Sequence, residues 1–399
     1  MESSTVDVAV LGAGIAGGAL AYHLAVAGVT PVALLDPRPP AAGASGRAAG
    51  IVTEQLWNEW DVEVTRESHR EYAALCGRLR PSAHRRNGFL RFTTDPSAQE
   101  ALRSGHERLR QWRVPTELLG PAEIRRLLPE ARCEEGVLGL YSAADGCVDP
   151  ATLTALYVEE AGRLGVSVQV GTEVRLRGRE GAHWIVATAS GDVRARRLVL
   201  AAGAWTKRIA GELGHPLPLA PYRTQAALLR PEAAARHDLP SSHDIDRDVY
   251  VRPEEHGRLV AGDGTELVEV DPERVSYGAS EAFVEHLAEA LAASWPAWGD
   301  SAVEGAWAGV CTSTPDRRPL IGEIPGENGL YAITGFNGFG VMRAAGAARR
   351  LAVLLAEAEG SAEGRELLAP VDPARFAGPP RPFAPRPGFT LEGGDAPRF

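Results

Sequence analysis

Near the amino end, Gly12-Ala13-Gly14-Ile15-Ala16-Gly17 follows the apolar run Val6 to Leu11, and Asp36 closes a second apolar run, Val32-Ala33-Leu34-Leu35. This spacing supports phosphate chemistry. Gly12 lets the chain turn sharply out of a strand, Gly14 leaves room for an anion, and Gly17 lets a helix pack closely on the sheet. The turn would aim the free N–H groups and positive end of the helix Ile15 to Ala27 at a pyrophosphate. A carboxylate at Asp36 can accept hydrogen bonds from ribose hydroxyls, so an adenine dinucleotide is the ligand implied. The motif alone does not choose between FAD and NAD.

The elements that position these residues are legible around them. Gly28 stops the first helix, and the small-residue loop Gly43 to Gly50 allows backbone to approach a ligand. A polar helix runs to about Leu79, and Phe89 to Phe92 reads as a strand opening an antiparallel region. Asp149-Pro150 caps a helix whose apolar face carries Leu153, Leu156, Tyr157, Ala161 and Leu164. Strands follow at 166–170, 184–188 and 198–205. From about Pro221 to Ala302 strands alternate with turns, apart from one helix near 281–293. Gly335-Phe336-Asn337-Gly338-Phe339-Gly340 then opens a second glycine-rich helix start, with the helix running to about Glu357.

Composition narrows the partners. The 399 residues are 44% hydrophobic, enough for two domains or one large α/β domain with an insertion, and the formal charge of −10 disfavours nucleic acid and anionic membrane. No stretch approaches the ~20 apolar residues of a membrane span. Cys76, Cys133, Cys147 and Cys311 show no metal-ligand or disulfide spacing, so no metal is expected and reduced cytoplasmic thiols are the simpler reading. Lys207 is the one lysine in the chain. With the first strand beginning by Val6, no signal peptide is expected.

In this order, the pieces resemble the FAD-dependent oxidoreductase family of D-amino acid oxidase, glycine oxidase, sarcosine oxidase and dimethylglycine dehydrogenase. The marks are Gly12 to Gly17 with Asp36, the segment Ala44 to Gly50, Trp307 to Gly322, and Gly335 to Met342. The resemblance implies an α/β (α+β) fold: a Rossmann-like FAD-binding domain with an antiparallel-sheet substrate domain, arranged as in p-hydroxybenzoate hydroxylase. The FAD-binding domain would be assembled from 1–80, 146–218 and 304–370, and the substrate domain from 81–145 and 219–303. Residues 371–399 read as a Pro-rich tail lying on the surface or contacting another subunit.

Carried onto matching positions, Gly12, Gly14, Ile15, Ala16 and Gly17 would meet the pyrophosphate, as would Ala202, Gly203 and Trp205. Asp36 would meet the ribose, and Val174 would reach adenine through its backbone. Ser45, Arg47, Ala48, Gly50 and Ile51 would line the cofactor near the flavin. Gly335, Asn337, Gly338, Phe339, Gly340, Val341 and Met342 would bring a helix N-terminus to the flavin C2 carbonyl and N1. The chemistry implied is hydride removal from carbon beside an amine nitrogen onto flavin N5, the imine being hydrolysed, with O2 or another acceptor reoxidising the flavin. A flavin monooxygenase using NAD(P)H and a flavin-carrying subunit of a larger amine dehydrogenase complex are the alternatives.

Substrate-side positions depart from the family. Cys311, Glu54 and Met342 stand where relatives carry basic, carboxylate-binding residues. Two readings follow: either Glu54 meets a cationic or hydroxylated group, or Arg91, Arg223, Arg252 or Arg343 takes over a carboxylate. Glu54, Arg223, Tyr250, Arg252, Cys311 and Met342 are therefore the candidate catalytic and substrate-binding residues. Arg47 replaces a flavin-linking His and Gly309 a flavin-linking Cys, which implies noncovalent FAD. Val260 stands where an oxygen-activating lysine occurs in the sarcosine oxidase branch, leaving oxidase and dehydrogenase both open.

Overall fold

In the computed structural model, which describes residues 3–232, 234–263, 268–357 and 360–383, the chain forms two eight-stranded sheets. The first is built on Ser4–Leu11, whose Val6 to Leu11 run is apolar because both faces of this central strand are covered. It lies parallel between Val32–Asp36 and Gly191–Leu200, and Ser167–Val170 extends the sheet beyond Val32–Asp36. Gly191–Leu200 changes partner along its length. Its first half pairs antiparallel with His183–Thr188, and its last residues pair parallel with Leu330–Thr334.

Helices Ile15–Val26, Pro150–Arg163 and Gly340–Leu355 pack on this sheet. The first of these is apolar almost all round, which suits its sandwiched position between the other two and the strands. Asp149 caps Pro150–Arg163 by accepting from the Ala151 and Thr152 amides. Helix Glu59–Leu79, capped by Asn58, crosses to Gly340–Leu355, and there Asp61 and Arg343 form a fully buried ion pair.

The second sheet runs in the order Ala302–Ser313, Ala220–Arg230, Leu259–Asp263, Val249–Pro253, Ser241–Asp244, Phe89–Thr93, Leu138–Ser142, Glu117–Leu119. It is antiparallel except for one parallel pair, Ser241–Asp244 with Phe89–Thr93. Helix Glu281–Ser294 covers one face of it, with Trp295 and Trp298 buried beside it. A small third sheet joins Ile51–Val52, Gly146–Val148 and His84–Arg85.

Two sequence expectations change. The boundary at 304 cuts the strand Ala302–Ser313, which pairs with Ala220–Arg230 along its length and so lies in the second sheet. The tail is not extended from residue 371. Ala369–Val371 and Pro373–Phe376 form short turns packed on the first sheet, with Val371 buried and Arg375 paired to Asp316. The part of the tail from 384 to 399 lies outside the described residues.

Candidate functional site: a dinucleotide cavity ending on a sheet face

A cavity of about 860 Å³ runs from the edge of the first sheet at Asp36 and Val174 to the face of the second sheet at Tyr250 and Asp263. Its amino-terminal wall follows from backbone geometry. Gly12 adopts φ +116°, and a Cβ there would sit 2.4 Å from the Ala201 carbonyl oxygen. At Gly17 a Cβ would fall 1.8 Å from the Gly12 carbonyl oxygen. Gly17 thus sets the helix-to-turn packing and is not itself on the cavity wall, whereas Gly12, Gly14, Ile15 and Ala16 are.

Asp36 accepts hydrogen bonds from the amides of Ala13 and Arg38, both at 2.8 Å, which fixes its carboxylate at the wall. Ser45 uses its hydroxyl oxygen to accept from the Ile15 amide at 3.0 Å, so it caps the helix that the glycine turn begins. Arg47 donates to the carbonyls of Ala42 and Gly43, lies over the Tyr277 ring, and its own carbonyl accepts from the Trp307 indole. The loop that carries Ser45 to Gly50 is thereby tied to the strand Ala302–Ser313. Ala48, Gly50, Ile51, Val174, Ala202, Gly203 and Trp205 also line the cavity.

At the far end, Gly335 (φ +74°) and Gly338 (φ +80°) bend the chain into helix Gly340–Leu355. Phe339, its N-cap residue, provides no side-chain cap. Free N–H groups and the positive end of a 16-residue helix therefore face the cavity, which Gly338 to Met342 line. Asn337 is 1% exposed, and its side-chain oxygen and nitrogen have no hydrogen-bond partner. A buried amide in that state is costly unless a ligand satisfies it. Cys311 lies beside this turn, 3.9 Å from where a Gly338 Cβ would sit, hydrogen-bonded to the Tyr222 hydroxyl, and burial raises its thiol to about 11, keeping it protonated.

The candidate substrate residues divide. Tyr250, Cys311 and Met342 line the cavity; Glu54, Arg223 and Arg252 do not. Glu54 is buried against Arg66 at 2.9 Å, and its amide donates to Asp145, so it serves a structural cluster. Arg223 donates to the carbonyls of Ser276 and Gly278. Arg252 pairs with Glu254, and Arg343 with Asp61. Arg91 is buried beneath the sheet within the field of Asp145 and Asp248. Sequence reasoning missed Tyr222, Thr224, Gln225, His243, Asp248 and Asp263, all of which line the cavity. Period-two alternation in Ala220–Arg230 could have placed Tyr222 and Thr224 on one face. No local signal says which ligand that face meets.

Residues 7–354 match the family described as FAD dependent oxidoreductase, and the chain belongs to that family. It is 28% identical over 375 residues to dimethylglycine dehydrogenase, mitochondrial, of Rattus norvegicus, covering 86% of this chain and 42% of that protein. This chain thus spans less than half the length of that relative. Among solved structures, L-proline dehydrogenase from P. horikoshii has a TM-score of 0.85 at 24% identity, covering 94% of this chain and 99% of that one. Glycine oxidase from Geobacillus kaustophilus has a TM-score of 0.82 at 23% identity, covering 94% of this chain and 100% of that one. These likenesses carry the fold, and the family carries the cofactor: FAD.

The cavity fits that cofactor on its own residues. It provides a glycine turn at a helix N-terminus for a pyrophosphate, a fixed carboxylate for a ribose, and an unpartnered buried amide beside a second helix N-terminus. Among the described residues no helix is long and apolar enough to cross a membrane.

Proposed function

We propose that this protein oxidises a C–N bond of a small amine with FAD, the resulting imine being hydrolysed. One observation carries the reading: in a chain of this family, the dinucleotide cavity opens onto the second sheet where the uncapped N-terminus of helix Gly340–Leu355 and Asn337 face Tyr222, Tyr250 and Cys311. When bound, FAD supplies a two-electron acceptor for the C–H bond beside the nitrogen. The residues of this chain supply placement and electrostatics. Gly12 to Ala16 with Asp36 would hold the adenine dinucleotide end, and the loop Ser45 to Ile51 the middle. The helix N-terminus stabilises negative charge developing at its end of the cavity, and Asn337 orients whatever presents a donor and an acceptor there. Tyr222 and Cys311, locked together, shape the wall against which the amine lies.

FAD is held noncovalently in this reading, since Arg47 and Gly309 provide no linking atom and Cys311 is a buried neutral thiol. A cytoplasmic location accords with the cysteines Cys76, Cys133, Cys147 and Cys311, all unpaired. Incubating the holoenzyme with candidate amines and assaying for a carbonyl product together with the shortened amine tests the reaction. An amine consumed with no carbonyl formed contradicts it. A second reading is a flavin-carrying subunit of a larger amine dehydrogenase complex, with the Pro-rich carboxyl-terminal segment as its contact. Turnover only after addition of a co-purifying partner would support that form.

A further inference from the structure

Arg343 lies in the first turn of helix Gly340–Leu355 and is fully buried. Its guanidinium joins two elements. Nη1 donates to Asp61 on helix Glu59–Leu79, and Nη2 donates to the carbonyl of Phe336, in the turn that leads into its own helix. The guanidinium carbon also lies 5.8 Å and 5.5 Å from the ring centroids of Phe336 and Phe339.

That turn is held at few points. The Phe336 carbonyl accepts from the Phe339 amide at 2.9 Å, and the Asn337 amide donates to the Thr312 carbonyl at 2.9 Å. Between these ties Asn337 adopts φ +54° and Gly338 φ +80°. Two successive left-handed residues, one of them bearing a side chain, persist only where the surroundings fix them. The aim of the buried, unpartnered Asn337 amide therefore depends on what grips Phe336.

Stability alone does not account for a charged pair at this place. Apolar side chains of similar volume join two helices as well as a buried ion pair does. They cannot grip a carbonyl. Arg350, about two helical turns further on, supplies the contrast, since its guanidinium pairs with the Glu63 and Glu67 side chains of the same neighbouring helix.

We propose that Arg343 is a positioning residue for the flavin: its fork, anchored on Asp61, locks the turn at Phe336 so that Asn337 and the helix N-terminus meet the reduced ring in one geometry. The inference rests on the reading above that places the flavin ring at this helix. Donors and a helix dipole stabilise developing negative charge only as far as they are aimed at it. Arg343 thereby raises the reduction potential of the bound flavin.

The test is the midpoint potential of the anaerobic holoenzyme, measured by reductive titration against a reference dye. In Asp61→Leu/Arg343→Met both charges of the pair are gone, so its net charge is unchanged while the grip on Phe336 is lost. The ratio of reduced to oxidised flavin at a fixed potential should fall at least about tenfold, a midpoint lower by about 30 mV for a two-electron couple. Arg343→Lys keeps a cation beside Asp61 but not the planar fork; it should fall in the same direction and serves as the second variant should the first release its flavin. Arg350→Met should lose thermal stability with no change in potential. Asn337→Gly, which suits the backbone but removes the amide, should lower the potential by itself, and adding it to the double variant should bring no further fall. An unchanged potential in both Arg343 variants overturns the proposal, as does an equal fall in Arg350→Met or a fully additive fall with Asn337→Gly. If Asn337→Gly alone lowers the potential, the flavin placement stands while the Arg343 proposal falls; if neither site moves it, both fall.

Discussion

Cys311 and Glu54 show how one position can carry different chemistry once its neighbours are known. The Cys311 thiol sits on the cavity wall against Tyr222, and burial holds it protonated. A protonated thiol is a poor nucleophile. Acid precipitation of wild-type protein should therefore release all yellow colour into the supernatant, and Cys311→Ser should behave alike; colour retained in the wild-type pellet alone would show a thioether link. Glu54, by contrast, faces Arg66 and Asp145. Glu54→Gln is expected to lower thermal stability while leaving KM unchanged, because its carboxylate does not reach the cavity. At the glycine turn the expectation is steric. Gly12→Ala should abolish flavin retention, since its Cβ would meet the Ala201 carbonyl and its φ is one that L residues avoid. Gly12, Gly14 and Asp36 could be read in the sequence because a phosphate turn is local, set by a few consecutive residues. Asp248 and Asp263 could not, because their juxtaposition depends on the register of two strands.

At the scale of elements, the helix whose N-terminus faces the cavity is held by helix Glu59–Leu79. Asp61 meets Arg343, Tyr72 donates to the Val341 carbonyl at 2.7 Å, and Ser68 accepts from the Gly346 amide. Asp61→Asn should destabilise the fold by roughly 3 kcal/mol or more in chemical denaturation, because it strands a buried guanidinium. An Asp61→Leu/Arg343→Met double variant should recover part of that loss. The same helix buries His69 against His84, ring centroids 5.0 Å apart, and both nitrogens of His69 lack partners. Burial lowers His69 to about 3, with the nearby His84 adding to the effect. The unfolded chain then binds a proton below about 6.5 that the folded chain refuses, so this contribution falls with pH between 6.5 and about 3. Asp145, raised to about 7 by burial, works in the opposite direction. The difference between wild type and His69→Gln isolates the histidine, and should shift against wild type by about 2 kcal/mol between pH 7 and pH 5. Identical pH profiles would refute it. Both long helices were legible, one as a polar helix ending near Leu79 and the other from its glycine-rich start, but the buried Asp61–Arg343 pair was not, since a charged residue in a sequence reads as surface until its partner is in view.

For the whole molecule, the two-sheet division explains why the chain is threaded back and forth. The first sheet draws strands from three separated stretches, and each return delivers a loop to the cavity: Gly12, Ala202 and Gly335 all follow strands of that sheet. The order of these stretches, more than any one motif, made the dinucleotide fold readable. The edges were harder: strand Ala302–Ser313 belongs to the second sheet while its last residues reach the cavity that the first sheet shapes. The central claim, that an amine delivers electrons to FAD in this cavity, is tested most directly by mixing the anaerobic yellow holoenzyme with diamines, monoamines and amino acids while following the oxidised flavin absorbance. The account predicts bleaching by an amine in the absence of any nicotinamide. Rapid bleaching by NADPH alone, with no amine in the panel effective, would contradict it.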